Sequence, residues 1–259
     1  MQSFNFVDKL IVVTGAAQGI GAAVARSLVL AGATVAGFDI QSDKLASVKA
    51  DLSPQRFNPY EVDVSDALAV DKQIQHIEQS LGSIAGLVNV AGILKCKLAI
   101  DLTDSDWNRT FAVNTTGVFN VSRSVARVMI PRRSGTIITV GSNAAAVPRQ
   151  EMAAYAASKA AATHFTRCLG LELASFGIRC NVISPGSTDT PMQQALWSDQ
   201  SAHNNVLKGS LNTFRTGIPL GRIASPEDIA AGVLFLLSEQ ARHITMHDLR
   251  VDGGANLGV

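Results

Sequence analysis

The stretch "KLIVVTGAAQGIG", Lys9–Gly21, changes character halfway along. Leu10 to Val13 is a run of branched apolar residues, the signature of a short strand buried on both faces. Thr14 to Gly21 then places three glycines, Gly15, Gly19 and Gly21, in the spacing G-x-x-x-G-x-G. From Ile20 to Ala31 the spacing of apolar residues predicts a helix. A strand turning through glycines into a helix is the opening unit of a parallel sheet with helical crossovers. Glycine turns tightly, and its missing side chain lets backbone N–H groups approach a pyrophosphate. The helix that follows aims its positive end at the same place. The trio alone is a weak signal, and a tight strand–helix turn that holds no ligand is its less favoured reading.

Outward from this loop the same unit recurs. "ATVAGFDI" is the next strand, followed by a helix near Asp43–Ala50 and the strand "RFNPYEVDV". Asp66–Leu81 has helical spacing, with Leu68, Val70, Ile74, Ile77 and Leu81 as its apolar positions. "AGLVNVAG" is a strand, and Asp106–Val128 a long helix stopped by Pro131. "GTIITVGS" is a strand, Met152–Phe176 a helix ended at Gly177, and "IRCNVISPG" the strand after it. Pro226 opens the last clear helix, and "HDLRVDGG" closes the sheet. Alternating strands and helices, with no linker-like tract, predict one α/β domain over residues 1–259. The expected architecture is a doubly wound Rossmann fold with a parallel sheet of about seven strands and helices on both faces. Ligands of such folds sit beyond the carboxyl ends of the strands. Chemistry is therefore expected at Gly15–Gly21, Asp39, Asp63, Asn89–Gly92, Gly141–Asn143 and Pro185–Thr190.

Composition narrows the partners. Hydrophobic residues make up 47%, and 22 basic against 21 acidic residues leave a net charge of +1. That balance gives no electrostatic footprint for nucleic acid or a membrane surface, so small molecules or copies of the chain itself are expected. Cys96, Cys168 and Cys180 are far apart with no C-x-x-C pair, which argues against a disulfide framework and a zinc site. His243 and His247 have the spacing of a metal pair but lack the H-E-x-x-H acid, and no metal is expected. The N-terminal segment has neither the basic region nor the apolar core of a secretion signal, and runs such as "AAGVLFLL" are too short to span a bilayer. A cytoplasmic location is expected.

Asp39 ends the second strand about twenty residues beyond the glycine loop, where an acid can bond the ribose hydroxyls of an adenosine. An acid there repels a 2′-phosphate, and Ala16 and Ala17 offer no cation to bind one; both favour NAD over NADP. Asp63-Val64, ending the third strand, either bonds an adenine amine or caps the helix that follows. In "EMAAYAASKAA" a spacing of four puts Tyr155 and Lys159 on one helix face. A free tyrosine, with a pKa near ~10, is a poor base at neutral pH; a nearby ammonium lowers that value. The pair can then take a proton from an alcohol as hydride leaves its carbon. Ser142, thirteen residues before Tyr155, can hold the substrate oxygen, and the amide of Asn114 can hold a water beside Lys159.

"TGAAQGIG", Asp39, Asn114, Ser142, "YAASK" and "SPG" together resemble the short-chain dehydrogenase/reductase family, in family order from Lys9 to Gly254. The resemblance implies Ser142 as substrate orienter, Tyr155 as general base, Lys159 as its pKa modulator and ribose ligand, and Asn114 as a proton-relay member. It implies an NAD site drawn from Gly15, Gln18, Gly19, Ile20, Gly21, Asp39, Asp63, Val64, Asn89, Ala91, Gly92, Pro185, Gly186 and Thr188, with Tyr155 and Lys159. It also implies a homotetramer. One departure is visible: the family pattern N-N-A-G is "NVAG" here, and Val90 cannot make the bonds of the missing Asn.

The loop Gly186–Leu220 is long and carries Met192, Leu196 and Trp197, the makings of a lid over an apolar, ring-sized pocket, at about residues 187–217. Arg149, six residues before Tyr155, is either an exposed surface residue or a grip for a substrate carboxylate. "NVAGILK", "VPRQEMAAYAASKAA", "GIPLGRIASPEDIA" and "HITMHDLRVDGGANLGV" resemble the branch of the family that oxidises a cyclic dihydrodiol carboxylate to a catechol acid for siderophores. This implies a substrate pocket of Leu94, Cys96, Arg149 and Met192 around Ser142 and Tyr155, with Cys96 as wall rather than nucleophile. Two other readings are a 3-oxoacyl-thioester reductase, whose preference for NADPH Asp39 opposes, and a non-catalytic NAD sensor, which would not need all four catalytic positions.

Overall fold

The structure is a computed structural model that describes residues 4–53, 55–196 and 200–258. The strands are β1 (Leu10–Thr14), β2 (Thr34–Asp39), β3 (Phe57–Glu61), β4 (Ile84–Asn89), β5 (Gly135–Val140), β6 (Ile178–Pro185) and β7 (Asp248–Val251). The helices are α1 (Gly19–Leu30), α2 (Ser42–Asp51), α3 (Ala67–Ser80), α4 (Asp104–Phe111), α5 (Val118–Met129), α6 (Ala153–Leu173), α7 (Pro191–Gln194), α8 (Gln200–Lys208) and α9 (Pro226–Leu237). The strands form one seven-stranded sheet in the order β3-β2-β1-β4-β5-β6-β7, with every neighbouring pair parallel. The chain runs outward from β1 to β3, then returns to β4 on the other side of β1. The order reverses beside the glycine loop, and a doubly wound sheet opens its crevice there.

The central strands feed two cores. In β1, Ile11 and Val13 face α1, α2 and α9, while Leu10 and Val12 face α3 and α5. All four are at most 4% exposed, which is why the run reads as continuously apolar rather than alternating. In α3 the core takes Val70, Ile74 and Ile77; Leu68 is 81% exposed and Leu81 lies at the partly exposed C-terminal end, so two of the five expected apolar positions are not core.

Local signals fix the boundaries. Ser225 caps α9 in a capping box with Asp228, and Pro226 follows at the first turn. Gly177 adopts the left-handed conformation just past the end of α6, where an L side chain is disfavoured. The expected long helix Asp106–Val128 is a composite. It starts at Asp104 behind a Thr103–Asp106 capping box, passes through a π segment at Ala112–Gly117, and continues as α5. Pro131 lies in the short 3₁₀ turn that ends it. A π segment inserts one residue into the helical ladder by i→i+5 hydrogen bonding. Among the described residues, no helix is long and apolar enough to cross a membrane.

Candidate active site

One cleft of about 310 Å³ opens over the carboxyl ends of the central strands. It runs from the β1–α1 loop, past β4 and β5, to the segment after β6. Its first end is backbone. Gly15 has φ +67°, and a Cβ on Gly21 would lie 2.0 Å from the Gly15 carbonyl oxygen, so the loop closes only with glycine at both positions. Gln18 at the N-cap of α1 puts no side chain on the helix's first N–H groups. These donors, at the positive end of the helix, suit an anion.

Asp39 stands beside them. Its Oδ2 accepts from Ala17 N–H at 3.2 Å and its Oδ1 from Gln41 N–H at 3.0 Å, which fixes the carboxylate at the rim of the cleft. Among the described residues Asp39 makes no ion pair. One nearby cation escaped the sequence reading: Lys44 on α2 donates to Gln18 Oε1 at 2.6 Å, on the outer side of the loop. Asp63 also lines the cleft, and the choice about its role is resolved in part. Asp66, not Asp63, caps α3 by accepting from Leu68 and Ala69 N–H. Asp63 accepts from the Ser65 amide and hydroxyl and pairs with Arg109 at 3.4 Å. Burial works against its charge, but these hydrogen bonds and the Arg109 guanidinium prevail and hold its carboxyl below the usual range.

The middle of the cleft holds Ser142, Tyr155 and Lys159. Ser142 follows β5, and its Oγ accepts from Ala144 N–H at 3.1 Å, leaving the hydroxyl proton to donate. Tyr155 and Lys159 lie one turn apart on α6, with Nζ 6.0 Å from the ring centroid. Lys159 is 5% exposed and donates to the Val140 carbonyl at 2.8 Å. Burial pulls its pKa down to about 8. Burial also pushes the Tyr155 phenol above its ordinary value, opposed by a hydrogen bond with Ser142 and reinforced by Cys96. Desolvation sets the direction of the phenol's shift.

Two expected side chains, Asn89 and Asn114, stand behind the cleft wall rather than on it, and Cys96 lies near Tyr155. Asn89, 3% exposed, turns into the core and donates to Ser122 Oγ at 2.9 Å. The hydroxyl of Thr14 performs the local bonding, accepting from both Val90 and Ala91 N–H, so the strand end is tied down without a second Asn. Asn114, fully buried in the π segment, accepts from Ile93 N–H and donates both amide protons, to the Ile93 carbonyl and Ser158 Oγ. Its amide is thus a bracket between α6 and the β4 loop, and its oxygen keeps a second lone pair with which to accept from a water. Cys96 is half-buried and outside the lining, and burial and Glu151 raise its thiol pKa. The other expected residues, Gly15, Gln18, Gly19, Ile20, Gly21, Asp39, Asp63, Val64, Ala91, Gly92, Leu94, Arg149, Pro185, Gly186, Thr188 and Met192, all reach the cleft.

The far end combines apolar walls with two arginines. Leu94, Met152, Met192 and Leu196 give apolar walls. Trp197 lies outside the described residues. Arg149 is partly buried in the lining rather than a free surface residue. Its guanidinium donates to Asn256 Oδ1 at 2.8 Å, and Asn256 in turn donates to the Asn143 carbonyl. Arg215 lines the same end. Burial and then Arg215 lower the Arg149 pKa, and Asp252 pulls it back. Neither Arg215 nor Asn256 was found by sequence reading. Asn256 lies in "DGGANLG" and Arg215 between Gly209 and Gly217, and those two glycine settings were the only local hint.

A strand-end cleft with a glycine cradle and a Ser–Tyr–Lys set matches a known pattern, and the comparisons agree. The family model described as short chain dehydrogenase matches residues 9–201.

The chain belongs to the short-chain dehydrogenase family.

It is 56% identical to the 2,3-dihydro-2,3-dihydroxybenzoate dehydrogenase of Bacillus subtilis, over the whole of both chains. It is 44% identical to the Escherichia coli enzyme of that name, covering 98% of this chain and 99% of the relative. It is 41% identical to the vibriobactin-specific one of Vibrio cholerae, covering 99% of each. Among solved structures, levodione reductase superposes with a TM-score of 0.92 at 27% identity, covering 98% of this chain and all of that one.

Proposed function

We propose that this protein oxidises 2,3-dihydro-2,3-dihydroxybenzoate to 2,3-dihydroxybenzoate with NAD⁺, as a step of catechol siderophore biosynthesis. The observation that carries the reading is the shared cleft: Tyr155 and Arg149 line one cavity, so a ring hydroxyl and a ring carboxylate are served together. The glycine cradle and the uncapped α1 N-terminus fit a pyrophosphate, Asp39 fits ribose hydroxyls, and Asp63 with Val64 borders the adenine side. Lys159 and Tyr155, with Ala91, Gly92, Pro185, Gly186 and Thr188, border the nicotinamide half. Bound there, the nicotinamide supplies the acceptor for the hydride.

The chain's own residues handle the proton. The Ser142 hydroxyl donates to the oxygen of the 3-hydroxyl and holds it against Tyr155. The tyrosine, as phenolate, takes the hydroxyl proton as the carbon loses hydride. The Lys159 ammonium stabilises that phenolate. The ketone formed then shifts a ring proton to oxygen and becomes a catechol, and the gain of aromaticity draws the oxidation forward. Arg149 holds the carboxylate and so fixes which hydroxyl faces Tyr155.

The segment at about 187–217 acts as the lid of this pocket, with Met192 and Leu196 against the ring. A homotetramer in the cytoplasm is part of the proposal. An aromatic surface on α5 and α6, where Phe119 is 39% exposed, meets Phe165 edge to face and lies under Arg123, supports self-association.

The test is NADH formation from 2,3-dihydro-2,3-dihydroxybenzoate with NAD⁺ or NADP⁺. Turnover with NAD⁺ alone, giving a fluorescent catechol acid, is expected. NAD⁺ binding without turnover of this diol would remove the substrate assignment and leave the family intact.

A further inference from the structure

Several arginines of this protein pair with an acid. Arg26 pairs with Asp51, Arg109 with Asp63, Arg132 with Glu78 and Arg222 with Asp228. Arg149 and Arg215 differ. Both are partly buried, both line the end of the cleft beyond Tyr155, and among the described residues neither makes an ion pair. Two guanidinium groups sharing a half-dry site repel each other and lose hydration. Burial lowers the pKa of both, and Arg215 lowers that of Arg149 further. Asp252 offsets part of this cost at Arg149, and a carboxylate bound between the two guanidinium groups would offset more.

The backbone holds the two in place together. Ser210 and Arg215 exchange N–H···O bonds of 2.9 Å in both directions, closing a short loop over Leu211–Phe214. The loop's flanks, Gly209 and Gly217, both have positive φ and approach so closely that a Cβ on Gly217 would lie 2.7 Å from Gly209 N. Thr216 Oγ1 then donates to the Ala255 carbonyl at 2.7 Å. The next residue, Asn256, accepts from Arg149. Adjacent residues of the C-terminal segment therefore anchor both arginines, one through its backbone neighbour and one through its guanidinium.

We propose that Arg149 and Arg215 form a two-point clamp on a single substrate carboxylate, with Arg215 supplying the lid-side half. This rests on the function proposed above and deepens it: the lid segment reads the charge of the ring as well as covering it. A neutral diol of the same size then fills the pocket without engaging the lid. Discrimination arises from the two arginines acting on one group, not from the apolar walls.

The experiment compares the wild type, Arg215→Gln, Arg215→Lys and Arg149→Gln. Each is assayed with the dihydrodiol carboxylate and with the corresponding neutral cyclohexadiene diol. Binding of 2,3-dihydroxybenzoate and of catechol is measured in parallel. The preference for the carboxylate over the neutral diol in kcat/KM is expected to fall ~10- to 100-fold in Arg215→Gln, the size of one charge-assisted hydrogen bond, with Arg215→Lys between it and the wild type. The loss should appear in KM rather than kcat. An unchanged preference in folded Arg215→Gln would overturn the clamp, as would equal losses for both substrates. The binding arm separates this from the function itself. A wild type that cannot oxidise the diol, yet binds dihydroxybenzoate over catechol through Arg215, would sink the function and keep the clamp. Loss of both the preference in binding and its dependence on Arg215 would sink the clamp.

Discussion

The two ends of the cleft are built on different principles. The dinucleotide end is made from short-range structure: a strand, a glycine turn and a helix contiguous in the chain, with Asp39 on the neighbouring strand β2. Its walls are largely backbone, and its position follows from the reversal of strand order. The substrate end is assembled from the loop before α6, the lid segment and the C-terminal segment. Its key hydrogen bond joins residues 107 apart in the chain. The first kind of site tolerates little change and holds a ligand common to many chemistries. The second is a set of side chains on loops, free to vary without disturbing the sheet.

Tyr155 stands between the two ends, and its replacement should separate them most sharply. Tyr155→Phe is expected to lower turnover by ~10⁴-fold, the upper range for removing a general base, while NAD⁺ and dihydroxybenzoate still bind. Binding by calorimetry beside single-turnover NADH formation checks this. Turnover near the wild-type rate would remove Tyr155 from the role of base.

At the dinucleotide end, Asp39→Ser should shift the NAD⁺ to NADP⁺ ratio of kcat/KM toward NADP⁺ by ~100-fold, since it removes a charged hydrogen-bond acceptor and a repulsion together. The KM for the diol should stay where it was. A shift in diol KM of similar size would mean that the two ends are not independent. Lys44, held by Gln18, is the cation placed to profit from the change.

At the substrate end, Asn256→Ala leaves the cleft lining intact and frees Arg149. Asn256 is 4% exposed and acts through its bonds to Arg149 and the Asn143 carbonyl, so it is a positioning residue. KM for the carboxylate diol should rise ~10-fold with kcat little altered, the loss expected when an orienting hydrogen bond is removed. Asn256→Gln, which keeps both the amide acceptor and the amide donor, should recover part of that loss. A fall in kcat alone, without recovery, would mark a general structural role.

The same division explains what the sequence reveals. Apolar period and glycine spacing are local, so the seven strands, the cradle at Gly15–Gly21 and the Tyr155–Lys159 face are all readable. The π segment around Asn114 is hidden because no proline marks where the extra residue enters the helix. Asn89 sits where motif position suggests, but a strand end can turn a side chain behind the wall as easily as onto it. Arg215 and Asn256 carry no periodic signal. Only the folded chain brings "NTFRTG" and "GANLG" against Arg149.

The smallest effect tests the junction of the two ends through pH. Burial brings Lys159 down to about 8 and pushes Tyr155 upward, so at neutral pH the pair holds both its protons. The first proton to leave belongs to the pair rather than to either residue. Its loss gives neutral lysine with phenol, or ammonium with phenolate, and the second form is the one that takes the substrate proton. Activity therefore rises as pH increases through about 8 and falls as pH drops below it. kcat/KM for the oxidation should climb ~10-fold from pH 7 to pH 9 and then level. In Lys159→Met the lysine proton is gone, and the rising limb should move above ~10, to the pH at which a buried phenol ionises alone. A wild-type profile flat across this range would contradict the coupled pair. A Lys159→Met limb that stays near 8 would place the ionisation on another group of the cleft.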